Sequence, residues 1–195
     1  MKIVSAYNWD PELIPVAVRL GVWELFGKLE ADAVGGGRSS IICQPIKRAE
    51  AARQIQQIQD AGIRFNYLLN GMGTGTAEIT RQGRKELHAL LDWLHEIGVR
   101  VVTVSTPYLG AIVQKRHPGT ELVVSMFGGV TSLEMAAKWQ ALGASAIILY
   151  ESKDFPLIRA IAAGTGLEVE ITANLWCMPS CNQRFHHANV DTASS

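Results

Sequence analysis

Seven short runs rich in β-branched and apolar residues recur along the chain, separated by longer stretches with helical spacing. They are KIVSAY (2–7), VWELFG (22–27), IRFNYLLN (63–70), RVVTVS (100–105), ELVVSMF (121–127), ASAIILY (144–150) and LEVEITA (167–173). Strands alternating with helices make βαβ units, and βαβ units make a parallel sheet. Two architectures meet that demand, the doubly wound open sheet and the (β/α)8 barrel. The open sheet usually carries its glycine-rich nucleotide turn directly after the first strand. Here NWDPEL stands in that place instead. The expected fold is therefore α/β, a TIM-barrel-like parallel sheet. A whole barrel has eight strands and typically about 250 residues. The 195-residue chain offers seven strands. It is expected to form one incomplete barrel-like domain over 1–195, truncated at the C-terminus.

Local signals support the intervening helices. Asp10 is a plausible N-cap with Pro11 at the first helical position. Residues 46–61 place Ala52, Ile55 and Ile58 on one face. In 80–97, Leu87, Leu90, Leu91, Leu94 and Ile97 form an apolar stripe that Gly98 ends. The tetrapeptide TSLE (131–134) reads as a capping box, Thr131 capping and Glu134 reaching back. The helix it opens is expected to run to Leu142. Shorter helices are expected over 106–119 and 154–163.

Composition narrows the partners. With 48% hydrophobic and 18% charged residues, the chain can bury a sizeable core. Eighteen basic residues balance eighteen acidic ones, so bulk charge does not advertise nucleic acid. No apolar run approaches a membrane span, and MKIVSAYNWD lacks an apolar leader core. Three cysteines are too few for a secreted disulfide framework. A cytoplasmic setting without membrane contact is the expectation.

In a parallel α/β protein the chemistry gathers at the carboxyl ends of the strands. The polar and reactive residues at those ends are Asn8, Trp9 and Asp10, then Arg38, Asn70, and Ser105, Thr106 and Tyr108. Ser125 and Met126 come next, then Glu151, and last Asn174, Cys177, Cys181, Arg184, His186 and His187. The GGGRSS stretch (35–40) can cradle an anion with backbone N–H groups, with Arg38 as a clamp. It lacks the GK[ST] of a P-loop, and a plain connector fits it equally. Glu151 can serve as a general base or hold a substrate hydroxyl; a cap or solvated charge is its bland reading. His88 and His95, seven apart on one helix, read as solvated, and His117 reads as a partner of the helix dipole.

The densest stretch is NLWCMPSCNQRFHH (174–187). A thiolate pair suits zinc or an iron–sulfur cluster. The H-x3-5-H spacing of a zinc site is absent, and Arg184 stands where CxxxCxxC would need its third cysteine. Cys43 is remote in sequence and is not recruited. Reduced cysteines in a packed loop remain an alternative. Cys177 with His186 could supply a thiol nucleophile and base, but no third orienting group is evident, and neither a Ser–His–Asp order nor HExxH occurs.

The segments GVWELFGK, GGGRSS, FNYLLNG, VTVSTPYLGAIVQKRHP, ELVVSMFGGVTSLEMAAKWQALGASAIILYES and LEVEITANLWCMPSC together resemble the peptidase U32, or collagenase-like, family. The terminal CxxxC with NQRFHH resembles a branch of it with a Cys-x3-Cys-x2-Arg motif after strand seven. The resemblance implies a barrel whose rim carries the site. It also implies either a peptidase or an iron–sulfur-dependent, oxygen-independent hydroxylating enzyme acting on a small molecule, RNA or peptide. By position, Cys177 and Cys181 would be cluster ligands, and Arg38, Ser125 and Glu151 would be catalytic. Asn8, Asn70 and Arg184 would bind substrate. Cluster-bearing members use four cysteines. Here Asn174 and Val169 depart from the family's glycine and glutamate positions. A non-catalytic barrel subunit that pairs with a longer paralogous U32 subunit is the alternative the resemblance leaves open.

Overall fold

The computed structural model describes residues 1–36, 44–73, 77–150, 154–174 and 181–193. Seven parallel strands curl into an incomplete (β/α) barrel in which each strand pairs with its sequence neighbours, in the order β1 to β7. They are β1 (Val4–Ala6), β2 (Glu24–Gly27), β3 (Arg64–Leu69), β4 (Val101–Val104), β5 (Glu121–Val124), β6 (Ala144–Leu149) and β7 (Glu168–Ile171). The helices are α1 (Leu13–Arg19), α2 (Arg48–Asp60), α3 (Arg81–Glu96), α4 (Pro107–Arg116), α5 (Leu133–Ala141), α6 (Phe155–Gly164) and α7 (Arg184–Ala193). Sequential parallel order without a reversal is the barrel's topology, not that of a doubly wound sheet. Among the described residues no helix is long and apolar enough to cross a membrane.

The two faces of the sheet have different chemistry because side chains alternate along a strand. One face meets the helices. Leu25, Phe65, Tyr67, Leu69, Val102, Val104, Leu122, Val124, Ile147 and Leu149 join a single core with the apolar sides of the helices. Helix α3 contributes Leu87, Leu90, Leu91 and Leu94, each nearly fully buried. Burying such a side chain is worth on the order of 1.5–3 kcal/mol. Ile97, the last of the expected stripe, is half-buried against that core as the helix C-cap.

The opposite face, toward the barrel axis, is polar at its amino end. Asn66 donates to Glu24 Oε1 at 2.9 Å, and Thr103 donates to Asn66 Oδ1 at 2.9 Å, a chain across β2, β3 and β4. Arg64 pairs with Glu24 at 3.3 Å and Glu121 at 2.6 Å. Burial pushes the Glu24 carboxyl up, against the pull of Asn66 and Arg64. Glu170 on β7 is pushed up to about 7 by burial and by the Glu24 charge. The seam between β1 and β7 is bridged at its amino end by Lys2, whose ammonium meets both Glu168 carboxylate oxygens at 2.6 and 2.8 Å. That contact shows how far the sheet has curled, since Lys2 and Glu168 belong to its two opposite edges.

Several local expectations change. The residue that caps α5 is Ser132, which accepts from Met135 N at 3.2 Å. Thr131 instead points its hydroxyl at Met135 Sδ, and Glu134 pairs with Lys138 one turn on. The capping box fails because helical geometry starts one residue later, so Glu134 stands at the second helical position, too early to reach back. Asp10 does accept from Glu12 N at 3.0 Å, but α1 starts later, at Leu13. The fifth strand stops at Val124 because Ser125 caps a 3-10 turn, Met126–Gly128. His95 stacks on His117, ring centroids 4.4 Å apart. His117 is the C-cap residue of α4, and its Nε2 also lies 3.0 Å from Asp92 Oδ1 on α3.

Candidate functional site

The carboxyl ends of the strands form one rim, and α7 lies across it. Thr192 accepts from Met72 N in the turn after β3 at 3.0 Å. Gly71 lets the same turn approach the loop after β2: a Cβ there would lie 2.2 Å from the Val34 carbonyl oxygen and 3.1 Å from Thr192 Cγ2. At the other end of α7, Phe185 packs beside Gly129 after β5. The Arg184 guanidinium lies over the ring of Tyr150, the residue just past β6, at 3.7 Å. The helix thus spans from β3 to β6 and covers the mouth that a barrel normally opens to substrate. No periodic apolar stripe marks it in the sequence; its buried contacts are the small side chains Ala188 and Thr192.

Against α7 the rim leaves a cleft of about 340 Å3, bounded by Thr131, Tyr150, Asp154, Leu157, Arg184 and Phe185 among others. Its chemistry is mixed: one guanidinium, one carboxylate that also caps α6, and aromatic and aliphatic walls. Such a cleft suits a small ligand with an anionic or planar polar group.

Two of the expected site residues, Asn70 and Ser125, come together on the rim. Asn70 Nδ2 donates to Ser125 Oγ at 3.4 Å, and Ser105 donates to the Asn70 carbonyl at 2.7 Å. Ser125 is 1% exposed, and its oxygen also accepts from Phe127 N at 3.2 Å. The bond from Phe127 N shapes the turn after β5. Arg184 reaches the rim on α7 and donates from Nε to the Cys181 carbonyl at 3.1 Å. Cys181 is therefore tied to the start of α7, half-buried, with a free thiol. Asn8 comes just after β1, and its buried Oδ1 has no hydrogen-bond partner among the described residues. Arg38, Glu151 and Cys177, like Cys43, lie outside the described residues. His186 and His187 sit in the first turn of α7 with ring centroids 6.1 Å apart.

Sequence reading missed a buried constellation beside Asn8. Tyr7 N bonds to the Phe26 carbonyl at 2.8 Å, which carries the β1–β2 register past the strand ends and sets Asn8 next to Lys28. Lys28 is 2% exposed, and its ammonium stands 3.8 Å from Asp32 Oδ2 without a hydrogen-bond partner among the described residues. Asp32 accepts from Tyr67 Oη at 2.7 Å and from Val34 N and Gly35 N at 2.9 Å each. Burial first, and then the Asp32 charge, push the Tyr67 phenol well above its ordinary value. Trp9 donates to the Lys28 carbonyl at 2.8 Å and adopts φ 69, a left-handed conformation costing on the order of 1–3 kcal/mol. A lysine directly after a strand (ELFGK) was the one signal in the sequence; the partner aspartate four residues on reads as ordinary loop polarity.

Cys181 is the sole described thiol, where a cluster needs four. No group of three or more His, Cys, Asp or Glu side chains able to hold a metal occurs among the described residues.

Comparison with known proteins agrees with the geometry. The chain is 28% identical over 158 residues to the uncharacterized protease MJ1657 of Methanocaldococcus jannaschii, a match covering 80% of this chain. It spans 46% of the length of that relative. The solved structure of the U32 peptidase Mk0906 superposes with a TM-score of 0.82 at 18% identity, over 100% of this chain and 77% of that one. KGPDC from Streptococcus mutans shares the fold more distantly, with a TM-score of 0.55 at 14% identity over 90% of this chain and 79% of that one. The sequence profile of peptidase family U32 matches residues 46–183, and the chain belongs to that family.

Proposed function

We propose that this chain is a substrate-binding U32 barrel that takes a small polar group into the cleft at its covered mouth. The cleft and its guanidinium carry this reading: Arg184 stands on one wall, held over the ring of Tyr150 and tied to the carbonyl of Cys181 three residues before it. A planar, always charged group fixed in that way is suited to a carboxylate or phosphate. Asn70 lies on the same rim. The Cys-x3-Cys spacing in a U32-family chain is the basis for a metal role of this stretch, in which Cys177 and Cys181 supply two thiolates. The other ligands would come from outside residues 1–195, in a longer paralogous U32 subunit or a further segment. The chain would then be one part of an iron–sulfur-dependent modifying enzyme.

The test is anaerobic purification of the chain alone and together with a longer U32 paralogue, followed by iron and sulfide analysis and visible absorption. The isolated chain should carry no stoichiometric cluster, and the complex should carry one. Changing Cys177 and Cys181 together to serine should abolish metal in the complex while leaving the thermal melt of the isolated chain unchanged. A double variant that unfolds the isolated chain, or a complex that keeps its iron without these thiols, ends the metal reading. The binding reading is tested separately. Arg184→Ala should weaken saturation by carboxylate- and phosphate-bearing compounds, and unchanged binding would sink it.

A further inference from the structure

A second concavity lies on the outside of the barrel, away from the mouth. It measures about 680 Å3 and lies where α3 and α4 run side by side. Its lining is basic. Arg81, Arg84, Lys85 and His88 come from α3, and Arg116 crosses from α4. The α3 residues fall at i, i+3, i+4 and i+7, so all four stand on one helix face. The sole carboxylate in the lining is Asp92, and it is already committed. It pairs with Arg116 and lies 3.0 Å from His117 Nε2, and the Arg116 hydrogen bond is the main reason its pKa falls to about 2. Its charge is thus offset by Arg116 and does not neutralise the upper part of the groove.

Arg81, Arg84 and Lys85 are exposed and have no acidic partner among the described residues. In a chain of zero formal net charge, three uncompensated cations within about 6 Å of helix rise are a local excess. The groove is open to solvent, where single ion pairs contribute little. A ligand must therefore engage several cations at once, so a compact, multiply charged anion is favoured over a singly charged one. The lining offers no Phe, Tyr or Trp on which a base could stack, only Ile79 and Ala89 as apolar wall. That disfavours a nucleotide read through its base.

We propose that this outer groove is a binding site for a short free polyphosphate, two or more linked phosphoryl groups held by Arg81, Arg84 and Lys85, with Arg116 closing the lower end. Arg116 is suited to that role because its pairing with Asp92 fixes the guanidinium in place, while its remaining N–H groups can donate elsewhere. The site is independent of the mouth and does not rest on the function proposed for it.

The test is calorimetric titration of the full chain with tripolyphosphate, pyrophosphate, orthophosphate and a single-stranded oligonucleotide, at low salt and near physiological salt. Tripolyphosphate should bind more tightly than pyrophosphate, with orthophosphate weaker than both. The double change Arg84→Ala with Lys85→Ala should weaken tripolyphosphate by about tenfold or more. Both residues are exposed, so circular dichroism should stay unaltered; Arg84→Glu is a second variant with the same expectation. Equal affinity for orthophosphate and tripolyphosphate would overturn the proposal, as would unchanged binding in both variants. Tighter binding of the oligonucleotide than of tripolyphosphate at equal phosphate concentration would overturn the assignment to a free polyphosphate.

Discussion

Arg184 and Tyr150 are stacked with the guanidinium carbon 3.7 Å from the ring centroid, and this contact joins the first residue of α7 to the residue just past β6. The pair turns a short helix with few buried residues into the cover of the barrel mouth. A cation over an aromatic face is worth about 0.5–2 kcal/mol, more where water is excluded.

Arg184→Ala should loosen α7 without unfolding the barrel. Amide exchange over 184–193 is expected to quicken, while β3 to β5 stay protected. Arg184→Lys should fall between the two, because an ammonium loses the flat contact. Equal protection of α7 in wild type and Arg184→Ala would show that Thr192, Phe185 and the other contacts suffice.

Asp32→Ala should be among the more damaging single changes. It removes the acceptor for Tyr67, Val34 N and Gly35 N, and leaves the buried Lys28 ammonium without its counter-charge. Breaking one side of a buried pair typically costs about 3–5 kcal/mol. Replacing both partners, as Lys28→Met with Asp32→Asn, should cost less than Asp32→Ala alone. Urea denaturation measures both, and a loss below about 1 kcal/mol for Asp32→Ala would refute the network's importance.

Glu170 should make stability fall as pH rises. Its folded pKa, about 7, lies above the ordinary 4.5, so the folded state holds the proton more tightly than the unfolded chain. The contribution is complete below about pH 4.5 and is lost as pH climbs through about 7, amounting to about 1–3 kcal/mol. Glu24, also raised, acts in the same direction. Glu170→Gln should flatten the thermal melting profile between about pH 5 and 8 and raise the melting temperature most at the alkaline end. An unchanged profile would mean that Glu170 titrates normally.

Gly71→Ala tests the closeness of the rim. Its Cβ would meet a backbone oxygen, which cannot swing aside as a side chain can. Overpacking of this kind costs about 1–3 kcal/mol. The change should displace the turn after β3 from the β2 loop and from Thr192. A crystal structure of the variant with both contacts intact would contradict this.

The sequence by itself determined the barrel. The alternation of short β-branched runs with helical stretches, and the absence of a glycine turn after the first strand, suffice because a parallel strand needs a crossover and each crossover helix needs an apolar face. The stripe of Leu87, Leu90, Leu91 and Leu94 states that face outright. Asn70 and Ser125 were placed on one rim by the same rule, since each ends a strand in a parallel sheet. What only the tertiary structure decided depends on contacts between residues distant in sequence. Lys28 and Asp32 become a buried pair because Tyr67, from another strand, and the turn at Val34 and Gly35 supply the remaining hydrogen bonds. Helix α7 buries only the small side chains Ala188 and Thr192 among its described residues, and contacts of Thr192 and Arg184 hold it to the rim it covers. Ser132 took the place of Thr131 as the cap, one residue on, a choice between two adjacent hydroxyl residues that the local motif leaves nearly balanced. Glu170 owes its raised pKa to burial and to Glu24, 146 positions away along the chain and across the curl of the sheet, a proximity that no periodicity in the sequence encodes.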